Sequence, residues 1–329
     1  MYSSFKESKK RFEPVPLRGT TLISPAPASR WGFFYGSNLP IPNTILKPVT
    51  TIPVSVTTNT CPLQTFVSLN STTMNDLKHQ RIALITGANQ GVGFQVAKEL
   101  AANSVTVLIG SRNLTNGRTA AEKIGAGAIP LQLDVTDRVS IAAAAAYIRQ
   151  EFGRLDLLIN NAAISNIRKT QLGLSLKEAI EEGRASKVSL DEMRAVWETN
   201  VFGTLAVYQV MLPLLRESSD ARIVNVSSGV GSLTNMSDPS SIYHKGYGVV
   251  YPGSKTAQNA ITLAMMIELE ESNIKINLVS PGFTKTNLNG YEGTESLEDG
   301  SREVVRVALL GPDGPTGTFT RWPNQAIPW

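Results

Sequence analysis

The sequence predicts a doubly wound α/β domain with a mostly parallel sheet, preceded by a disordered N-terminal extension. Three observations carry this. Short apolar runs alternate with helical periods from Arg81 onward, a glycine-rich turn joins the first run to the first helix, and the runs close on residues able to meet a ligand. Strands that alternate with helices pair in parallel and bury both faces. The chain has 329 residues, 42% apolar and 18% charged, which is enough for one large domain with a substantial core.

In chain order, residues 1–73 come first. They hold nine of the 18 prolines, seven Lys/Arg and two acids. Proline at that density breaks helices and central strands, so this stretch is expected to be disordered. Being basic and hydroxyl-rich, it reads as an organelle-targeting peptide. It also reads as a dispensable tail, or as a start placed too early, and Met74 just ahead of the folded pattern favours this second reading. The basic balance of the chain belongs here. Net charge is +4, yet residues 74–329 carry 24 basic and 25 acidic side chains, so no nucleic-acid partner is expected. The only cysteine is Cys61 and the only histidines are His79 and His244, which excludes an internal disulfide, an iron–sulfur cluster and a Cys- or His-rich metal site. No apolar run is long enough to span a membrane, and the expected location is cytoplasmic.

The body starts with "RIALITGANQGVGFQVAKELAAN". Ile82–Ile85 reads as a strand. A turn follows through Thr86, Gly87, Gly91 and Gly93, then a helix with Val92, Phe94, Val96, Ala97 and Leu100 facing inward. Glycines there permit a tight reversal, close approach of backbone to a pyrophosphate, and close packing of helix on strand. The first N–H groups of the helix suit phosphate oxygens. Val105–Ile109 is the second strand. "AIPLQLDVTD" is the third, ending at Asp134, and "AAAAAYIRQEFG" is a helix. "LDLLINNAA" ends a strand at Asn160, "ARIVNVSS" ends one near Ser228, and "IKINLVSPG" ends one before Pro281. "GPDGPTGTFTRW" reads as a turn and the last strand. Tyr251 and Lys255 in "YPGSKTAQNA" are four apart, so a helix places them on one face. A phenol with a pKa of about 10 is a poor base at neutral pH, and a nearby ammonium favours its ionised form.

Thr-Gly-x-x-x-Gly-x-Gly at Thr86–Gly93, then Asn200 in "WETNVFGT", Ser228 in Val-Ser-Ser, and the Tyr251/Lys255 pair occur in the order of the short-chain dehydrogenase/reductase family. The sequence resembles that family over residues 78–329, and within it the carbonyl-reductase-like NADP-dependent members, whose longer stretches are matched by the spans between Asn160 and Asn200 and between Ser228 and Tyr251. The resemblance implies a Rossmann fold and an oxidoreductase that moves a hydride between NADP(H) and a carbonyl or secondary alcohol. It implies Tyr251 as acid/base, Lys255 as the group lowering its pKa, Ser228 as stabiliser of the oxyanion, and Asn200 as holder of a water linking Lys255 to solvent.

For the cofactor it implies contacts from Thr86, Gly87, Gly91, Val92 and Gly93 at the turn, and from Asp134 and Asn160 at the adenine and cofactor sides. Tyr251 and Lys255 would lie at the ribose, and the Thr284 backbone and the Thr286 hydroxyl at the carboxamide. Ser111 holds the place of an NAD-selecting acid and Arg112 follows, which favours NADPH over NADH because a guanidinium can take the 2′-phosphate. Two departures from the family pattern are Gln90, where NADP-preferring members often carry a base, and Ala163, where glycine is usual. A catalytically silent NADP(H)-binding redox sensor is the alternative. An epimerase or dehydratase fits less well, since only 43 residues follow Thr286. The expected partner is a small-molecule carbonyl or alcohol, for a monomer or a homo-oligomer.

Overall fold

Apolar residues fill Ile82–Ile85 at consecutive positions because the strand they form, β1 (Arg81–Thr86), is covered on both sides. The computed structural model describes residues 80–166 and 173–329. The reading of residues 1–73 as disordered falls outside them. Among the described residues one sheet contains β1, β2 (Val105–Ser111), β3 (Ala128–Gln132), β4 (Leu157–Asn160), β5 (Arg222–Val226), β6 (Lys275–Val279), β7 (Phe319–Arg321) and β8 (Gln325–Ala326). The order is β3-β2-β1-β4-β5-β6-β7-β8, parallel except for the final antiparallel pair. This is the Rossmann-type arrangement expected.

Alternation along β1 divides the core into two layers. Ile82 and Leu84 join the apolar faces of α3 (Arg138–Phe152), α6 (Thr204–Leu215) and α8 (Tyr251–Glu268). Ala83 and Ile85 join those of α1 (Gly91–Ala102), α2 (Leu114–Ile124) and α9 (Leu297–Ala308). In α1, Val96, Ala97 and Leu100 are buried as expected, while Val92 and Phe94 are half-buried. Asp137 caps α3 by accepting from the Val139 N–H at 2.9 Å, and Gly153, at φ 75°, ends it. The long stretches flanking the site hold α4 (Leu176–Glu182), α5 (Leu190–Trp197) and α7 (Leu233–Ser237), and a π-helical turn, Glu198–Gly203, joins α5 to α6.

β1 lies between β2 and β4, so the strand order reverses there. A crevice opens at the carboxyl ends of β1 and β4, the usual ligand position in such sheets.

Candidate active site

The crevice is an open cleft of about 380 Å³. Its floor is the turn after β1. Gly87 has φ 65° and Gly91 has φ 62°, both in the left-handed region. A Cβ at Gly87 would stand 2.9 Å from the Ala162 Cα, so the turn presses directly on the segment after β4. Asn161 holds that contact. Its Nδ2 donates to the carbonyl oxygens of Thr86 and Gly87 at 2.9 and 3.2 Å. The Thr86 hydroxyl oxygen accepts from the N–H groups of Asn161 and Ala162, both at 3.0 Å. α1 starts at Gly91 with no side-chain cap and no acid in its first turn, so its leading N–H groups remain a donor set that fits a pyrophosphate.

Gly87, Gly91, Val92, Arg112, Asp134 and Thr286 all line the cleft. Arg112 is exposed just past β2 and forms no hydrogen bond or ion pair among the described residues. Ser111 is buried, its hydroxyl turned back onto the Asn113 carbonyl at 2.8 Å, so no acid faces Arg112 from that position. Asp134 lies half-buried on the opposite wall. It accepts from the Thr136 N–H and hydroxyl at 2.9 and 2.7 Å and is not the cap of α3. A Cβ at Gly91 would lie 3.7 Å from the Thr286 methyl, so the segments after β1 and β6 meet there.

At the far end of the cleft, Tyr251 opens α8 and Lys255 follows one turn later. The Lys255 Nζ lies 5.7 Å from the centre of the Tyr251 ring. Ser228 precedes the turn facing α8, its hydroxyl oxygen accepting from the Val230 N–H at 3.5 Å, and it favours the ionised form of the Tyr251 phenol. Ser227 lines the cleft, and its hydroxyl donates to the Asn259 Oδ1 at 2.6 Å. Burial pushes the Tyr251 phenol up to about 12, with Ser228 working the other way. Burial also pulls the Lys255 ammonium down to about 7. In the chain by itself desolvation pushes both groups toward their neutral forms.

The sequence model of the short chain dehydrogenase family matches residues 81–296. The chain belongs to this family. It is 37% identical over 239 residues to a short-chain dehydrogenase of Penicillium roqueforti, covering 70% of this chain and 89% of the relative. It is 29% identical over 298 residues to salutaridine reductase of Papaver somniferum, covering 74% and 95%. The structure of that reductase superposes with a TM-score of 0.61 over 73% of this chain and 99% of the other, at 28% identity. An NADPH-bound carbonyl reductase from chicken fatty liver superposes with a TM-score of 0.63 at 25% identity, over 76% and 99%.

Within this short-chain dehydrogenase the structure separates residues the motifs had grouped. Thr86 and Gly93 sit behind the cleft wall, the first as an anchor for residues 161–162 and the second pressed against the Asn161 amide. Asn160 was expected at the cofactor, but its side chain is buried between strands, where Nδ2 donates to the Asn225 Oδ1 at 2.8 Å. Strand alternation is the reason: Asn160 shares the face of Leu158, and Asn161, one residue on, reaches the cleft. The same alternation could have shown this from the sequence. Thr284 is buried too, its hydroxyl donating to the Pro281 carbonyl at 2.8 Å. Asn200 is wholly buried in the π turn. Its amide pairs with both the N–H and the carbonyl of Ile164, at 2.9 and 2.8 Å, and also donates to the Ser254 hydroxyl at 3.0 Å.

Proposed function

We propose that this family member reduces a small-molecule carbonyl, or oxidises the corresponding secondary alcohol, with NADP(H) as cofactor. The observation that supports this best is the half-buried Tyr251 lining the cleft end, with the Lys255 nitrogen 5.7 Å from the centre of its ring. The glycine turn, the uncapped start of α1, Arg112 and Thr286 are the groups that would hold the dinucleotide. Bound there, the nicotinamide supplies or accepts the hydride.

The chain's own residues handle the proton. Tyr251 is a phenol at neutral pH, as tyrosines ordinarily are, and burial pushes its pKa further up. It is therefore set to donate to a carbonyl oxygen that is gaining negative charge. The Ser228 hydroxyl can donate to the same oxygen and so lower the cost of that charge. A charged Lys255 favours the tyrosinate left behind. The Ser165 hydroxyl donates to the Leu288 carbonyl at 2.5 Å and so ties the segment after β4 to the one after β6 beside the cleft.

The test is consumption of NADPH with a panel of ketones, aldehydes and quinones. Turnover of at least one class is expected. Tyr251→Phe should lower kcat by about 10²–10⁴ while NADPH affinity changes little, since only the transferable proton is lost. Near-normal turnover in Tyr251→Phe overturns the mechanism. If the parent binds NADPH and consumes it with no substrate, the redox-sensor reading replaces the enzyme reading.

A further inference from the structure

Lys255 is wholly buried, and its ammonium finds two acceptors: the Val226 carbonyl at 2.8 Å and the Gln258 Oε1 at 2.9 Å. Gln258 is itself 1% exposed, and its far end is also engaged. Its Nε2 donates to the Thr204 hydroxyl oxygen at 3.3 Å, and that hydroxyl donates to the Asn200 carbonyl at 2.9 Å. The chemistry fixes the orientation of the amide. An ammonium only donates, so it must face the Gln258 oxygen, and the amide nitrogen is left for Thr204. A directed chain of hydrogen bonds thus runs from Lys255 through Gln258 and Thr204 to the π turn that carries Asn200.

We propose that Gln258 is a positioning residue for this site: its carboxamide holds the Lys255 ammonium beside Tyr251 and ties it to the π turn carrying Asn200. The inference rests on the proposed function. Three arguments support it. A glutamine at this depth needs partners for both ends of its amide, and it has found them. The Val226 carbonyl alone would leave a buried ammonium with one acceptor, and such a group sheds its proton. Thr204 begins the first regular turn of α6, so Gln258 also fastens α8 to the helix that follows the π turn.

No other charge competes for this role. The elements packed around α8 carry Asp191, Glu192 and Arg194 on α5, Glu198 on the π turn, Arg222 on β5 and Lys275 on β6. None of them contributes to the lowered Lys255 pKa, whose one cause is burial. On α8 itself the titratable groups are Tyr251, one turn before Lys255, and Glu268 at the far end of the helix, where it accepts from the Tyr208 hydroxyl of α6 at 3.0 Å. Burial works against the charge on Lys255 and its two acceptors work for it, and Gln258 is the acceptor that a substitution can change.

The test uses the full-length protein with Gln258→Met and Gln258→Glu. Methionine keeps the length and removes the carbonyl. Glutamate keeps an oxygen toward Lys255 and adds a negative charge. The first readout is NADPH affinity against pH by fluorescence titration, which needs no substrate. The second is kcat/KM against pH for any substrate found. In the parent both should fall as pH rises through the Lys255 ionisation. In Gln258→Met the fall should move to lower pH, and in Gln258→Glu to higher pH. Opposite shifts are expected because one change removes a partner of the charged form and the other strengthens it. A packing defect would move both variants alike or change affinity without moving the profile. Profiles that coincide with the parent, or shift in one common direction, overturn the proposal. If Gln258→Met does not fold, the direction of the Gln258→Glu shift decides alone. Failure of the parent to turn over any carbonyl defeats the proposed function, while the binding profile still judges Gln258.

Discussion

Arg112 and Lys255 are two cations in opposite surroundings, and each leads to a measurable consequence. Arg112 is exposed at the cleft rim with no protein partner among the described residues, so its hydrogen-bonding capacity is available to a ligand phosphate. NADPH should bind more tightly than NADH by about 1–3 kcal/mol, as charge-assisted hydrogen bonds are worth. Arg112→Ala should erase most of the difference in a fluorescence titration of both cofactors. Equal affinities in the parent would rule the assignment out. Lys255 is the reverse case, a cation with its own partners but no water. Its folded pKa of about 7 lies below the ordinary 10.5, so between those values the unfolded chain binds a proton that the folded chain does not. Stability therefore rises with pH across that window. Urea unfolding at about pH 7 and about pH 9 should show a gain in the parent that is smaller in Lys255→Met, whose side chain cannot titrate. The same gain in both proteins would show that Lys255 is not its source.

At the scale of elements, glycines in this fold serve different ends. Gly93 lies in the first turn of α1, where a Cβ would stand 2.3 Å from the Asn161 Nδ2 and 2.9 Å from the Gly87 oxygen. Asn161 cannot move aside without giving up its bonds to Thr86 and Gly87, so the insertion forces α1 away from the turn. Gly93→Ala should cost about 1–3 kcal/mol of stability and weaken NADPH binding as well. Gly153 ends α3 at φ 75° with open space around it. Gly153→Ala should cost about 1–2 kcal/mol through backbone strain alone and leave NADPH affinity unchanged. Denaturant unfolding and cofactor titration on both variants test this. Wild-type NADPH affinity in a folded Gly93→Ala would mean that the α1 contact does not shape the cleft.

Across the whole molecule, the described body is the part that builds the cleft: every residue lining it lies between Gly87 and Leu297. No helix among the described residues is long and apolar enough to cross a membrane. The charge split at Met74 separates a basic, proline-rich stretch from a nearly neutral body. A chain beginning at Met74 is therefore expected to fold and to bind NADPH like the full-length protein, as judged by circular dichroism and fluorescence titration. Aggregation of the shortened chain, or loss of binding, would place part of residues 1–73 in the folded unit.

The alternating sheet and helices, the glycine turn and the order of Asn200, Ser228, Tyr251 and Lys255 were all legible in the amino-acid sequence. They depend on local periodicity and on spacings of a few residues, which the chain carries within itself. α9 was less visible, because its polar opening, "LEDGSRE", hides the apolar face formed by Val304, Val305, Val307 and Ala308. What each motif residue touches was decided only by tertiary structure. Asn160 turns to Asn225, 65 positions away, while Asn161 clamps the glycine turn. Ser228 accepts from the Val230 N–H whereas Ser227 donates to Asn259, although the two serines are adjacent. Burial also pushes Tyr251 and Lys255 toward their neutral forms, opposing what charge proximity alone suggests. The partnership of Lys255 with Gln258 looks like ordinary helix spacing in the sequence, and acquires its meaning from Thr204 and the π turn packed against it. A spacing specifies which side of an element a residue occupies; the desolvation and the hydrogen-bond partners waiting there come from distant parts of the chain brought together by folding.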